Sequence, residues 1–352
     1  MKKTVLVALL LVFVLAFFLR VIFLKNLSLT FGYDQARDAY VSQEILKGDL
    51  KVLGPPASTP GLYHGVFYYY LLAPAYYLGH GSPIVAAYWI ALLNALTVFI
   101  VFYLSYLFTK SQKAGLVAAI LFAISFEATQ YATWLSNPTI GVWTVPLFYL
   151  GLWVWIKEKK SWGPIVAAIG LGLSIQAEIF LLYHAVPLVL WLWFARKNID
   201  KKSLIKFGIF FLLSISTILI SEIKFGFKGI GGVLSLLTTQ DSIVASKGLG
   251  DFLLLFINQI GRVFAYSSYP GNVGYGGVFV LILIIMAIVE WRSGALASRS
   301  REGEVGWQPF IVSWLLSQIT VVSVGGTSTP FLLVGIGPAV PIILGIFIYN
   351  LA

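Results

Sequence analysis

The stretch TVLVALLLVFVLAFFLRVIFL, from Thr4 to Leu24, decides the class of the fold. Arg20 is its one charged residue, and a helix of about 20 apolar residues is long enough to cross the hydrocarbon core of a bilayer. The stretch follows Lys2 and Lys3 and contains no small-residue cleavage site. It therefore predicts an uncleaved membrane anchor rather than a removed signal peptide.

The rest of the chain has the same apolar character. Of its 352 residues 59% are hydrophobic and 11% are charged, whereas about 25% of the residues of a soluble domain are charged. This composition indicates an integral membrane protein, which we treat as one transmembrane domain over residues 1–352. The chain contains no cysteine, which excludes disulfides and cysteine-based metal sites.

Ten apolar runs are candidate membrane spans, and we predict an all-α, polytopic transmembrane helix bundle of about ten spans. The runs are 4–24, 84–108, 114–131, 139–156, 162–177, 179–195, 204–221, 274–290, 310–324 and 331–350. The chain stops directly after the last run, so we expect it to be C-terminally incomplete.

The distribution of charge predicts the orientation of this bundle. With the N-terminus in the cytoplasm, 15 of the 24 Lys and Arg residues fall on the cytoplasmic side and nine of the 14 acids fall outside. Cytoplasmic loops of membrane proteins carry such an excess of Lys and Arg. The net charge of +10 is thereby assigned to topology, and we expect no nucleic-acid partner.

Two long segments then lie outside, the first outer loop at 25–83 and a second outer segment at 222–273. Within the second, residues 251–266 (DFLLLFINQIGRVFAY) are apolar but contain Asn258, Gln259 and Arg262. We expect this stretch to lie at the interface or to re-enter the membrane, because lipid-exposed polar groups are costly. If it crosses instead, the topology after it is inverted.

The first outer loop opens with a dense charged segment, YDQARDAYVSQEILKGD (33–49), which predicts a short amphipathic interfacial helix. Asp34 stands near its N-terminus, where a carboxylate is favourable. Asp38 is four residues further on and therefore points to the same side, beside Arg37. We expect an apolar strip of Ala39, Val41, Ile45 and Leu46. A capped interfacial helix with a solvated face explains the same pattern.

Residues 53–83 follow with many Pro, Gly and aromatic residues, including Tyr68, Tyr69 and Tyr70. This composition predicts a loop folded onto the outer leaflet, with its aromatic rings at headgroup depth. An acidic pair beside such a loop is a place where a lipid-linked substrate could be met.

The chain resembles the GT-C glycosyltransferases, polytopic enzymes that use polyprenyl-phosphate sugars and include the protein O-mannosyltransferases and the aminoarabinose transferases of lipid A. Their signature is an Asp, usually followed by Glu, ahead of A-x-x-I/L-x-x-G. The match here is Asp34 and Gln35, then Ala36 and Arg37, then Ile45 to Gly48, with Gln35 at the position of the second acid. The stretches 131–147, 174–188 and 221–227 resemble later landmarks, so the resemblance covers about residues 1–230.

The resemblance implies direct displacement of a polyprenyl phosphate by an acceptor, with inversion at the sugar. Such a reaction needs a general base and positive charge at the leaving phosphate. Asp34 is the predicted base and Asp38 a secondary catalytic residue. The predicted phosphate partners are Arg37, His64 and Lys51.

Further polar residues lie at the outer ends of several spans, where an isolated carboxylate is costly. We predict that they line a shared cavity that meets the acceptor: Glu127, Asn137, Gln176, Glu178 and Glu222. The alternative for each acid is an interfacial charge that ends a helix. No cofactor follows from the sequence; a divalent metal is compatible with it, with Asp34 and Glu178 as candidate ligands.

The favoured hypothesis is a multi-pass glycosyltransferase of the inner or plasma membrane, with its site on the outer face. Its partners would be a polyprenyl-phosphate-linked sugar, membrane lipids, and a lipid, glycan or protein acceptor. A transporter or lipid flippase with an outward-facing polar cavity is the alternative, but it predicts ionisable groups near the midplane and internal repeats. An O-antigen ligase or polymerase shares the donor but usually carries its main outer loop late in the chain.

Overall fold

The computed structural model describes residues 2–26, 29–57, 61–232, 249–250, 253, 277–278, 281–285, 306–325 and 334–351. All the regular secondary structure in these ranges is helical, with no β-strand. The all-α class predicted from the sequence is therefore confirmed for the part of the chain that the structure describes.

Thirteen α-helices account for most of these residues, and we number them in chain order. They are α1 Lys3–Val21, α2 Tyr33–Leu46, α3 Phe67–Leu78, α4 Pro83–Thr109, α5 Gln112–Ala123, α6 Phe126–Thr133, α7 Gly141–Ile156, α8 Gly163–Ala177, α9 Ala185–Ala195, α10 Lys201–Ser214, α11 Ser216–Lys224, α12 Trp307–Gly325 and α13 Ala339–Leu351. Short 3-10 helices at Ile22–Asn26, Asn137–Ile140, Ile179–His184 and Arg196–Asn198 extend α1, precede α7 and flank α9.

Four helical stretches in the described part are long and apolar enough to cross a membrane: Lys3–Leu24, Pro83–Thr109, Asn137–Ile156 and Ile179–Asn198. Helices α10 and α11 would form a fifth, although they are bent by 57°. Helices α5, α8 and α13 are apolar but shorter. The protein is thus a multi-pass membrane protein, while the layout of about ten spans stays a prediction.

Two of the predicted runs are broken, each for a local reason. The run at 114–131 divides because the Ser125 hydroxyl caps a new helix by accepting a hydrogen bond from the Ala128 amide at 3.3 Å. The run at 204–221 bends at Ile215, which separates α10 from α11. Most of the predicted second outer segment and of the run at 274–290 lies outside the described residues, as does 251–266 apart from Leu253.

Glycine allows the central helices to pack backbone to backbone. Helices α7 and α8 form the most extensive pair among the described helices. A Cβ at Gly151 would lie 2.2 Å from the Ala167 amide nitrogen, and one at Gly170 would lie 2.4 Å from the Phe148 amide nitrogen. Small residues permit this approach in membrane bundles, and it fixes α8, whose C-terminal end carries several of the predicted site residues.

Arg20 is fully buried in α1 and bonds to neighbouring helices. Its Nε donates to Asn94 Oδ1 at 2.7 Å, and Nη1 and Nη2 donate to the carbonyls of Ala123 and Phe122 at 3.0 and 3.3 Å. Those carbonyls end α5, where the helix dipole is negative. The one charge of the first apolar run therefore holds α1 against α4 and α5.

Helices α2 and α3 belong to the segment between α1 and α4, called the first loop below (residues 25–83). A second, smaller core binds the two helices to the start of α4. It includes Ala39 of α2, Tyr68, Leu72 and Tyr76 of α3, and Ile90 of α4. The first loop is therefore folded onto the bundle, with α2 and α3 packed side by side.

Candidate functional site

Helix α2 confirms the helix predicted for the charged stretch, and Asp34 lies in its first turn. Gln35 turns back on the helix start, where its Oε1 accepts a hydrogen bond from the Gly32 amide at 2.9 Å. Gln35, which follows Asp34, therefore closes the N-terminus of the helix. Such a contact satisfies an amide that has no partner within the helix.

The buried face of α2 differs from the expected apolar strip. Its buried residues are Gln35, Asp38, Ala39 and Ser42. Of the four residues expected in the strip, Ala39 is buried, whereas Leu46 is exposed. Tertiary packing against α3 selects this face, because the tyrosines of α3 supply hydroxyl groups as well as apolar rings. The buried side of α2 is therefore largely polar, unlike the apolar side that a simple amphipathic helix buries.

Arg37 lies between the two predicted catalytic acids. Its Nη1 contacts Asp34 Oδ1 at 2.7 Å, while Nε and Nη2 contact Asp38 Oδ1 at 2.9 and 2.7 Å. The two carboxylates differ in environment, since the side chain of Asp34 is 64% exposed and that of Asp38 is 1% exposed. The arrangement offers one accessible and one buried carboxylate on a shared guanidinium.

Tyrosines of α3 surround Asp38. Tyr68 and Tyr76 are buried, and among the described residues their hydroxyls have no hydrogen-bond partner; neither has Asp38 Oδ2. Burial raises the pKa of Asp38 to about 6, against the opposing effect of Arg37. Burial and the charge of Asp38 raise the pKa of Tyr69 to about 12, so its hydroxyl stays protonated. Buried oxygens without partners are rare in proteins, and they cluster here.

The positions of these tyrosines correct the prediction of an aromatic belt at headgroup depth. Tyr68 and Tyr69 are buried against α2 and do not lie in an exposed aromatic belt. Tyr70 donates its hydroxyl to the Lys51 carbonyl at 2.9 Å. The four-residue spacing of Tyr68, Leu72 and Tyr76 along one helix face is the signal that indicates an internal position.

His64 and Glu178 meet where the first loop contacts the end of α8. His64 Nδ1 accepts a hydrogen bond from the Ile179 amide at 3.1 Å and lies 3.5 Å from Glu178 Oε1. Burial, helped by the charge of Arg37, lowers the pKa of His64 to about 4, and burial raises the pKa of Glu178 to about 8. Both groups are therefore neutral at pH 7, and the His64 proton is on Nε2.

Gln176 holds the first loop against the end of α8. Its carbonyl accepts a hydrogen bond from the Gly65 amide at 2.9 Å, and its Oε1 accepts one from the Phe67 amide at 3.4 Å. Its Nε2 donates to the Ser214 carbonyl at 2.9 Å and to Thr217 Oγ1 at 2.7 Å, on the two sides of the α10–α11 bend. One side chain thus joins the first loop, α8 and the bend.

Asn137 supports the same region, because its Nδ2 donates to the Ala177 carbonyl at the end of α8. The predicted site residues that the structure brings together therefore form two neighbouring groups. The first group is Asp34, Arg37 and Asp38, and the second is His64, Asn137, Gln176 and Glu178. The first loop links the two groups, because His64 lies just before α3, which packs against α2.

The remaining predicted residues lie elsewhere. The Lys51 ammonium contacts Glu44 at 2.9 Å and also Asp49, beyond the C-terminal end of α2 and far from Asp34 along the helix. Glu222 accepts a hydrogen bond from the Ile230 amide at 3.1 Å and so closes a local turn. The side chain of Glu127 lies outside the described part of the chain.

A metal site was a candidate at Asp34 and Glu178. Among the described residues, no three His, Asp or Glu side chains are grouped as ligands for an ion. Asp34 bonds to Arg37, and Glu178 lies beside His64. A shared metal ligand role for the two acids stays a prediction.

No protein-family model and no curated protein matches the chain. Among solved structures, it is similar to ArnT from Cupriavidus metallidurans, which was solved bound to undecaprenyl phosphate, with a TM-score of 0.65 and 13% sequence identity. The similarity covers 100% of this chain and 61% of that one, so the chain spans about three fifths of the neighbour's length. At this identity the comparison shows a shared fold, that of a polytopic, all-helical membrane protein.

Proposed function

We propose that the protein is a membrane glycosyltransferase that moves a sugar from a polyprenyl-phosphate donor to an acceptor on the non-cytoplasmic face. One observation carries the proposal: α2 presents an accessible carboxylate, Asp34, on the same guanidinium as a buried one, in the first loop of a fold shared with ArnT. The neighbour's bound undecaprenyl phosphate supports a lipid phosphate of this class as the donor's carrier.

Arg37 and His64 would bind the donor phosphate. A guanidinium donates to phosphate oxygens through charge-assisted hydrogen bonds. His64 is neutral and carries its proton on Nε2, because Nδ1 accepts from the Ile179 amide. Nε2 is then a second, uncharged donor. Lys51 is held by two carboxylates at the other end of α2, and its role at the phosphate stays a prediction.

Asp34 would act as the general base. It accepts the proton of the acceptor's hydroxyl or amine as that atom bonds to the anomeric carbon. The bond between that carbon and the phosphate oxygen breaks with its electron pair, and the polyprenyl phosphate leaves as an anion stabilised by Arg37. Direct attack of this kind inverts the anomeric centre and uses no covalent enzyme intermediate.

Glu178, Gln176 and Asn137 would border the acceptor side. Glu178 is neutral at pH 7, so it can donate a hydrogen bond to an acceptor oxygen without adding charge near the phosphate. The amides of Gln176 and Asn137 already bond to the protein, and they would hold the walls of the site in place. Glu127 and Glu222 are proposed to lie farther from the site, on the same non-cytoplasmic side of the protein.

An assay of the purified protein with a panel of polyprenyl-phosphate sugars tests the proposal. Asp34→Asn keeps the shape of the side chain and removes the base, so we expect a loss of transfer of about 10²- to 10⁴-fold. Asp49→Asn is the matched control, because Asp49 is an exposed acid paired with a cation at the other end of α2, and it should retain transfer. Near-normal turnover of Asp34→Asn with an accepted donor would exclude Asp34 as the base.

A further inference from the structure

The two contacts of Arg37 are of unequal strength. Asp38 is 1% exposed and holds the edge of the guanidinium formed by Nε and Nη2. Asp34 is 64% exposed and holds Nη1. An exposed ion pair contributes only about 0–1 kcal/mol, whereas separating a buried pair leaves an uncompensated buried charge. An incoming anion would therefore replace Asp34 before it replaced Asp38.

A phosphate group is well matched to the edge that Asp34 occupies. It carries more charge than a carboxylate and offers several acceptor oxygens to the donors of a guanidinium. While Asp34 is bonded to Arg37, that bond occupies its Oδ1. Loss of the bond leaves both carboxylate oxygens free of the guanidinium, so that either can accept a hydrogen bond from another group.

We propose that the donor phosphate displaces Asp34 from Arg37 Nη1 while Asp38 keeps the guanidinium in place, so that the base is released only when the donor is bound. This inference rests on the proposed function and adds to it a means of controlling the base. Asp38 is then a positioning residue that acts through Arg37. Binding is ordered, because the acceptor meets a carboxylate that is free of the Arg37 ion pair only after the phosphate has arrived.

A second cation between two carboxylates in the first loop serves as a comparison for Arg37. At the other end of α2, Lys51 lies between Glu44 and Asp49, and Asp49 is 60% exposed, much like Asp34. Both acids are exposed partners of a cation in the first loop. If exchange is specific to Arg37, removal of the charge of Asp34 will affect phosphate binding and removal of the charge of Asp49 will not.

The experiment measures the Kd of farnesyl phosphate for the full chain in detergent. We expect Asp34→Asn to bind about two- to five-fold more tightly than wild type, because the competing ion pair is gone. Asp49→Asn should bind like wild type. In the Arg37→Lys background the planar guanidinium is lost but the positive charge is kept. The effect of Asp34→Asn should disappear there, which a double-mutant cycle measures directly.

The role of Asp38 is tested in the transfer assay. Asp38→Asn removes the charge that anchors Arg37, so most of its loss should appear as an increase of about tenfold in the KM for the donor rather than as a decrease in kcat. Asp38→Glu should restore part of that loss. A fall in kcat with an unchanged donor KM would contradict a positioning role.

The outcomes separate this inference from the function on which it rests. If wild type does not bind farnesyl phosphate, both proposals are wrong, since there is no site for a lipid phosphate. If wild type binds it and Asp34→Asn binds with the same Kd, the exchange at Arg37 is wrong and the proposed transferase stands. Equal tightening by Asp34→Asn and Asp49→Asn would likewise reduce the effect to general electrostatics and overturn the exchange.

Discussion

At the scale of single residues, Glu178 makes the pH dependence of stability testable. Its ordinary pKa is 4.5, and burial raises the native value to about 8. Between these values the unfolded chain has lost a proton that the native protein keeps, so stability falls as pH rises. The pKa of His64 is lowered to about 4, so His64 makes stability rise with pH, but only below about 6.5. The pKa of Asp38 is raised to about 6, so Asp38 makes stability fall with rising pH, but only below about 6. The window from pH 6.5 to 8 therefore isolates Glu178.

We expect wild type to lose roughly 1 to 2 kcal/mol of stability across that window. Thermal unfolding in detergent at several pH values measures the slope. Glu178→Gln should flatten it, because the amide does not titrate. Glu158→Gln is the control, since Glu158 pairs with Lys110 at the surface. A slope that survives in Glu178→Gln would show that another group carries the dependence.

At the scale of elements, the position of the first loop depends on a close crossing at Gly65. A Cβ there would lie 1.7 Å from Gln176 Oε1 and 2.7 Å from the Gln176 Cα, so both side chain and backbone would have to move. We expect Gly65→Ala to lower the stability of the protein by about 1–3 kcal/mol, as overpacking does. Thermal unfolding measures the effect. Gly208→Ala is the control, because the space at Gly208 is open.

A shift of the loop would also move His64, which precedes Gly65. Gly65→Ala should therefore weaken the binding of a lipid phosphate as well as the fold, whereas Gly208→Ala should weaken neither, because Ala favours the helix there. An unchanged unfolding temperature in Gly65→Ala would mean that the loop and the end of α8 are not held together by this crossing.

The same elements show what could be predicted from the sequence. Helix α2 was predicted from its own residues, and α1, α4 and α7 from apolar runs of sufficient length. The polar face of α2 could not be predicted in this way, because it is determined by Tyr68 and Tyr76 of another helix. Periodicity within one segment cannot show that His64 and Glu178, 114 positions apart, lie 3.5 Å from each other. Their contact depends on how two segments pack.

At the scale of the whole molecule, the orientation in the membrane decides on which side the proposed chemistry takes place. The excess of Lys and Arg in one set of loops predicts that the first loop lies on the non-cytoplasmic side. A single cysteine can report this directly, because the natural chain has none. Lys47, just after α2, and Lys159, between α7 and α8, are both exposed and lie in loops predicted on opposite sides.

We expect Lys47→Cys to react with a membrane-impermeant thiol reagent in intact cells or spheroplasts, and Lys159→Cys to react only after lysis. The two variants control for each other, since each must label once the membrane is opened. The reverse pattern would put α2 and its carboxylates in the cytoplasm. The proposed base would then face the wrong side for an acceptor outside, and the donor would have to be used at the cytoplasmic surface.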